Sequence, residues 1–404
     1  MLIRFAARNV FRHRARSAIT LAAIAFGVAA LIISGGFVND LYHQLGEAII
    51  HSQTGHLQVA RPALFAEGSR APEKHRITDF KAVASELAGL SGVKEVAGRL
   101  SFFGLLSNHR SELPIIGEGV EPDKESELMT SVTLLAGRPF APRETDGVLL
   151  GEGLAKKLGL KPGDLVTLLA ATVDGAMNSA DIQVVGVFRS FSKDYDERAV
   201  KISLQAAQDL LGTSDVNTIV MLLDDSSKTN AVLAQASALM LPRGLAVKSW
   251  EQLNEFYANT VKLFDREFGV LNVIILFMVA LGVSNALNMA VFERLGEFGT
   301  MRALGNRGGH IVRLIMTECV LLGAMGAGAG VLIGAAAAML ISAVGIPMPP
   351  PPNSNIGYTA AIQLLPSVVL QALVVGFAAA VLAGLIPALR VSRVPIVEAL
   401  RRIA

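Results

Sequence analysis

Glycine is nowhere followed by lysine in these 404 residues, so the chain carries no G-x-x-x-x-G-K-[ST] loop to cradle nucleotide phosphates. Its one cysteine, Cys319, has no partner for a disulfide within the chain, and every folded part must stand on its own core. The 7 histidines give no repeated metal-ligand spacing; His43, His51 and His56 crowd one stretch but do not share a helical face. No spacing of Ser, His and Asp, or of paired carboxylates, marks a hydrolytic site. Acidic residues are missing from everything before Asp40. These gaps argue against a self-contained ATPase, a disulfide scaffold, a metal centre and an external hydrolase.

Apolar length is what the chain has in quantity. Uncharged runs at 17–39, 268–292, 319–346 and 362–389 each exceed the ~20 apolar residues that cross a bilayer as a helix. The fold class expected is a membrane α-helical protein with four transmembrane helices, at 17–39, 268–292, 314–346 and 362–389. A large α+β extracytoplasmic domain of two subdomains, residues 40–267, is inserted between helices 1 and 2. The first run is too long for a signal-peptide core and is expected to remain as an anchor.

Charge sets the orientation. Of the 34 acidic residues, only Glu293, Glu297, Glu318 and Glu398 lie outside 40–267. The insertion is net acidic, which argues against nucleic acid as a partner. The cations outside it fall in three groups. Arg4, Arg8, Arg12, Arg14 and Arg16 precede the first span, in the basic N-terminus 1–16. Arg294, Arg302, Arg307 and Arg313 lie between the second and third, and Arg390, Arg393, Arg401 and Arg402 follow the fourth, in the tail 390–404. Residues 347–361 carry no charge. Arg-rich short flanks stay in the cytoplasm, so both termini and the 293–313 segment are expected inside, and the insertion and the proline-rich 347–361 loop outside.

Within the insertion, Leu41, Leu45, Ala48 and Ile49 continue the first helix outward as a stalk, and a return stalk is expected over 250–267. Between them GHLQVA, 93–106 and LPIIGEGV read as strands, with a helix from Thr78 or Asp79 through Leu90. GVLLGEGLAKKLGL reads as strand, turn and helix, and KPGDLVTLLA as a turn into a strand. NTIVMLLDD, a helix near 227–240 and LAVKSW form a second strand–helix–strand half. A subdomain over about 145–212 is expected to be inserted into the first.

FERLGEFGTMRALGNRGGHIVRLIMTE, between the second and third spans, is the most specific stretch. Glu293, Arg294, Glu297 and Arg302 suit a short charged helix, Met301, Leu304, Ile311 and Leu314 give it an apolar side, and Gly305, Gly308 and Gly309 end it. The plain alternative is a solvated loop whose arginines only fix topology. The pattern Glu293, Arg294, Glu297, Gly299, Arg302, Ala303, Leu304 and Gly305 resembles the coupling-helix signature of MacB/FtsX/LolC-type ABC transporter permeases. Asn9–Thr20, GVLLGEGLAKKLGLKPGD and the tail IPALRVSRVPIVEALR resemble the same family, in the same order, with a layout nearest the lipoprotein-releasing LolC/LolE permeases.

The resemblance implies a bacterial inner-membrane permease that works by mechanotransmission. It implies a separate ABC-type ATPase in two copies that holds the ATP and Mg, no cofactor on this chain, and a second permease protomer as homodimer or paralogous heterodimer. It also implies contact with membrane lipid and docking of a periplasmic carrier or adaptor. Acyl chains would enter an apolar cavity drawn from Leu31, Phe37, Phe264, Phe268, Leu271 and Ile275. Three readings stay open: release of lipoprotein, lipid or other amphipathic cargo; MacB-like efflux of peptides or drugs; and FtsX-like control of a cell-wall hydrolase without transport. The hairpin LLAATVDGAMNSADIQVV is short and weakly apolar, which counts against recruitment of a carrier.

Small residues mark helix packing. Gly326, Gly330 and Gly334 double a G-x-x-x-G pattern on helix 3, and Gly376, Ala380 and Gly384 answer on helix 4, so packing of 3 on 4 is expected there. Asn272, Ser284, Asn285 and Asn288 are expected to serve as interhelical glue on helix 2, and Glu318, a turn past Arg313, as an anchor or hinge.

Overall fold

The computed structural model describes residues 8, 12 and 14–401, apart from 67–71, 142–143, 351–353 and 356. Arg4, Asn9, Arg402 and the middle of the proline-rich loop lie outside the described residues. The chain forms two compact units: a helical one of residues 1–43, 260–347 and 359–404, and an α+β one of residues 44–259 and 348–358.

Helix α1, Arg14–Ile49, is unbroken over 36 residues, about 54 Å at 1.5 Å per residue. That is well beyond a bilayer core, so the anchor and the outgoing stalk are one rod. A π-turn at Ile50–Thr54 ends it. Gly55 then turns the chain at φ 65°, where a Cβ would lie 2.4 Å from the Val220 side chain, so the exit needs glycine on two counts.

The α+β unit is built on ten strands: β1 (Leu57–Ala60), β2 (Val93–Ser107), β3 (Glu112–Val120), β4 (Thr133–Gly137), β5 (Gly147–Gly151), β6 (Leu165–Ala171), β7 (Met177–Arg189), β8 (Ala199–Ser203), β9 (Thr218–Leu223) and β10 (Ala246–Ser249). The first half of β2 joins the antiparallel order β10-β1-β9-β2. Its second half pairs with β3 and β6, and the strands β2-β3-β8-β5-β7-β6 close on themselves as a six-stranded barrel. Closure removes the open edges a small sheet would otherwise expose. The barrel therefore takes in Leu100–Val120 as well as 145–212. One 15-residue strand serves both subdomains, and a strand pattern alone does not say where its partner changes.

Helices α2 (Phe80–Ala88), α3 (Pro122–Leu128), α4 (Glu152–Leu158), α5 (Lys193–Asp196), α6 (Leu204–Leu211) and α7 (Thr229–Met240) accompany these strands. Asp79 sits before α2 in the left-handed region without a side-chain cap. The 250–267 stalk is not continuous. Asn254 is extended, and its Oδ1 accepts the Tyr257 N–H at 2.9 Å, so a new helix begins at Glu255. Part of the proline-rich loop belongs to this unit: the Asn355 N–H donates to the Phe191 carbonyl and its side-chain amide to Asp196 Oδ2, at 3.1 and 2.6 Å.

In the helical unit, α8 (Glu255–Glu293), α9 (Leu295–Ala303), α10 (Gly308–Val344), α11 (Pro366–Ser392) and α12 (Ile396–Arg401) follow. Helix α10 starts six residues before 314, at the close of the α9 turn. The four long helices α1, α8, α10 and α11 are apolar enough to cross a membrane; α1 is the most enclosed and α8 the least. Helices α10 and α11 pack on each other as expected, but the glycine ridge of α10 is turned to a different neighbour. A Cβ on Gly326, Gly330 or Gly334 would lie 2.8, 2.7 and 3.0 Å from Ile24, Ala25 and Ala29, so the ridge seats α1, not α11. Gly376 of α11 also faces α1, at Val28, while Gly384 faces Cys319 of α10 and Ala380 lies near Gly323. Helix 1 enters the groove between α10 and α11 because its neighbours' missing side chains let backbones approach.

Candidate functional site

Helix α8 ends where Arg294 leaves helical geometry, at φ −97° and ψ 11°, and α9 starts one residue later. Leu295 and Phe298 are buried on one side of α9, in the same cluster as Ile311, Leu314 and Ala399. The Arg294 guanidinium covers the Phe298 ring at 5.1 Å and donates through Nε to Glu297 and through Nη1 to both oxygens of Glu318, each at 3.0 Å. Arg302 donates through Nη1 to the Val394 carbonyl, just ahead of α12, at 2.5 Å. Gly305, at φ 97°, ends the helix.

Two arginines therefore fasten the short helix to α10 and to the tail. Breaking a shielded pair such as Arg294–Glu318 costs about 3–5 kcal/mol, because it strands the remaining charge. Glu318, near the start of α10, takes the Arg294 guanidinium on both its oxygens. Gly299 is buried as well. Glu293, Glu297, Ala303, Leu304 and Gly305 face outward, with Leu304 83% exposed. Glu297, Thr300 and Leu304 form one exposed stripe at i, i+3, i+7 spacing.

A second feature lies among α1, α8 and α11, a chamber of about 390 Å³. Leu31 and Phe268 line it. Phe37 and Phe264 lie tilted against Phe268, with ring centres 6.1 and 6.2 Å away. Leu271 is 47% exposed and Ile275 packs into the helical core, so the six expected cavity residues do not share one wall. The glue role also fails for Asn272: its Oδ1 is buried in the chamber wall with no hydrogen-bond partner.

The α+β unit holds two polar groups that the sequence did not reveal. Arg99, Glu118, Glu125 and Lys201 meet in its interior, with Lys201 Nζ 2.5 Å from Glu125 Oε1 and Arg99 Nη1 donating to the Gln53 carbonyl at 2.6 Å. Burial alone would raise the Glu125 carboxyl, yet Lys201 and Arg99 hold it below the usual carboxylate range. Near the stalk, His56 Nδ1 accepts the Leu223 N–H at 3.1 Å and Nε2 donates to Ser226 Oγ at 2.9 Å. Ser226 in turn donates to Glu47 at 2.5 Å. With its proton committed to a carboxylate and its histidine acting as donor, Ser226 is no activated nucleophile.

Residues 17–239 match the MacB-like periplasmic core domain, and residues 269–396 the FtsX-like permease C-terminal domain. The chain belongs to the MacB/FtsX-type ABC transporter permeases. It is 24% identical to the lipoprotein-releasing system transmembrane protein LolC of Neisseria meningitidis, over 78% of this chain and 75% of that protein. The ABC transporter permease YvrN of Bacillus subtilis is also 24% identical, over 99% and 98%. The macrolide export ATP-binding/permease protein MacB of Hyphomonas neptunium matches 98% of this chain at 24% identity, but only 60% of the MacB chain is covered. The periplasmic region of MacB from Actinobacillus actinomycetemcomitans aligns at a TM-score of 0.39 and 15% identity, over 52% of this chain and 96% of that one; a likeness of that size adds nothing to the assignment. This permease is thus a membrane protein with an extracellular domain, and its family works with ABC ATPases.

Proposed function

We propose that the permease relays the stroke of a separate ATPase to its extracellular domain, and that this motion extracts or exports lipoprotein, lipid or other amphipathic cargo at the bacterial inner membrane. The observation that carries the reading is α9: its outer stripe is free for a partner, and its inner side is fastened by Arg294 and Arg302. Force delivered at Leu304 would reach α10 and the tail without being absorbed by a flexible loop. Two copies of the ATPase would hold the ATP and Mg, since this chain has no phosphate-cradling loop. A second permease protomer would cover the exposed apolar face of α8, which includes Val270, Ile274, Phe277 and Leu281.

The LolC relative supports acylated cargo, and the MacB relatives support efflux of soluble small molecules through an adaptor as a second reading. Leu304→Glu should abolish copurification of the ATPase with the full chain while membrane insertion stays unchanged. Retained ATPase would return α9 to the role of a topological loop. With the complex in hand, stimulation of ATPase activity by a triacylated peptide but not by a macrolide supports the first reading, and the reverse supports the second.

A further inference from the structure

In the α+β unit, α3 and the residues that follow it serve two neighbours at once. On one side, Leu128 is buried with Leu45, Ile49 and Ile50 of the stalk end and with Trp250, and Met129 packs against the same cluster. Trp250 lies so close to α1 that a Cβ on Gly46 would come within 2.7 Å of its ring. The Ser131 N–H donates to the His51 carbonyl at 3.1 Å. Glu125 reaches the π-turn through Arg99, 3.6 Å away, whose Nη1 holds the Gln53 carbonyl. On the other side, Met129 and Val132 face a pocket of about 380 Å³, together with Leu134 and Phe140. Leu149 and Phe188, from the strands beneath, close its floor. Lys201 and Glu125 also border that floor but are committed to each other, so it carries no net charge. Asp123 is exposed at the rim and is the one lining charge without a partner among the described residues.

We infer that this pocket binds a small aromatic cation, and that its occupation is felt at the stalk end. The rings of Phe140 and Phe188 and the thioether of Met129 offer the contacts that an aromatic body prefers. The charged end of the ligand belongs at the rim, where it keeps its water and Asp123 is the counter-ion; an anion there would be repelled. At ~30 Å³ per water-sized group, 380 Å³ holds on the order of a dozen non-hydrogen atoms, which is one substituted ring and not a long acyl chain. The wall this ligand presses on is the wall that seats the end of α1, and α1 is unbroken from there back to Arg14. Packed interiors are barely compressible, so a shift of Met129 on the pocket side is taken up on the Trp250 side. The inference goes beyond the permease reading and needs neither an ATPase nor a cargo.

The test uses the purified full chain and two probes that differ only at the polar end, 4-tert-butylbenzylamine and 4-tert-butylbenzoate, with binding read by calorimetry. The amine should bind about fivefold more tightly than the acid, the scale of one exposed ion pair gained and one like-charge contact avoided. Asp123→Asn should erase that difference while both probes still bind. Leu134→Lys, at a wall position 37% exposed and so tolerant of a charge, should abolish binding of the amine. Trp250, the chain's single tryptophan, reports the stalk end. Excited where neither probe absorbs, its emission should shift as the amine saturates the parent and stay unchanged in Leu134→Lys. Absence of binding, equal binding of the two probes by the parent, or amine binding that survives Leu134→Lys overturns the site. A preference for the amine that survives Asp123→Asn also overturns it, and that exposed substitution decides the matter even where Leu134→Lys disturbs β4. Binding with no change in Trp250 emission overturns the link to the stalk.

Discussion

Where α1 crosses α10, the approach is backbone to backbone: a Cβ on Gly330 would lie 2.7 Å from the Ala25 carbonyl oxygen and 2.7 Å from Val28 Cβ. The interior of the α+β unit is built the other way. Phe102, Leu100, Leu106, Ile115 and Leu150 fill one face of its strands, and the alternate positions Arg99 and Lys201 hold the ion cluster on the other. The contrast follows from the solvent. Lipid tails are as apolar as leucine, so large side chains gain little by leaving them, and close contact of small residues is what remains. Water rewards removal of large apolar area, and that surplus can carry a few buried charges.

The sharpest way to break the comparison is to exchange its currencies. Gly330→Leu should prevent α1 from seating and yield no monodisperse protein in detergent, because backbone on the facing helix cannot yield. The same glycine would tolerate leucine if α10 packed only through lipid-like contacts, so a folded variant would refute the account of the ridge. Next in size is Lys201→Met, which strands Glu125 beside one remaining cation and should cost about 3–5 kcal/mol. Adding Glu125→Gln should recover much of that loss. Urea unfolding followed through Trp250, the one tryptophan of the chain and a residue of the extracellular unit, reads both variants. No recovery in the double variant would mean that Lys201 acts through packing and not through charge.

The same division explains how much could be read from the residues alone. Four spans, the strand–helix–strand ends and the short helix 295–303 were legible, because each is written locally as an apolar run, a period or a turn signal. Partners were not. Gly326, Gly330 and Gly334 announce a close approach, yet nothing in a G-x-x-x-G pattern names the helix that approaches. Arg294 and Glu318 are 24 residues apart and meet only once α10 has turned back. Val93–Ser107 shows as one strand, and the switch of its partner at Leu100 sets a strand more than 100 residues later, β9, against the next one, β3. The chamber was half legible: Leu31 and Phe268 stand out as apolar, but its polar wall combines Ser34 and Asn272, which had no visible reason to be considered together.

The smallest effect expected is a pH dependence confined to the extracellular unit. Burial, reinforced by the neighbouring His51, lowers the His56 ring from 6.5 to about 4, although Glu47 and Asp225 oppose the shift. The structural cause is plain: a second proton on Nδ1 would meet the Leu223 N–H that it now accepts. Between pH 6.5 and 4 the unfolded chain binds this proton and the folded one does not, so stability from His56 is complete above 6.5 and falls as the pH drops. From pH 7.5 to 5 the loss should be about 2 kcal/mol. His56→Gln keeps a donor for Ser226 but cannot titrate, so subtracting its profile from that of the parent, again through Trp250, isolates the histidine from the carboxylates that also protonate near pH 5. Parallel profiles would mean that His56 takes up its proton in the folded state as readily as in water, and the Leu223–His56–Ser226–Glu47 chain would then have to open without cost.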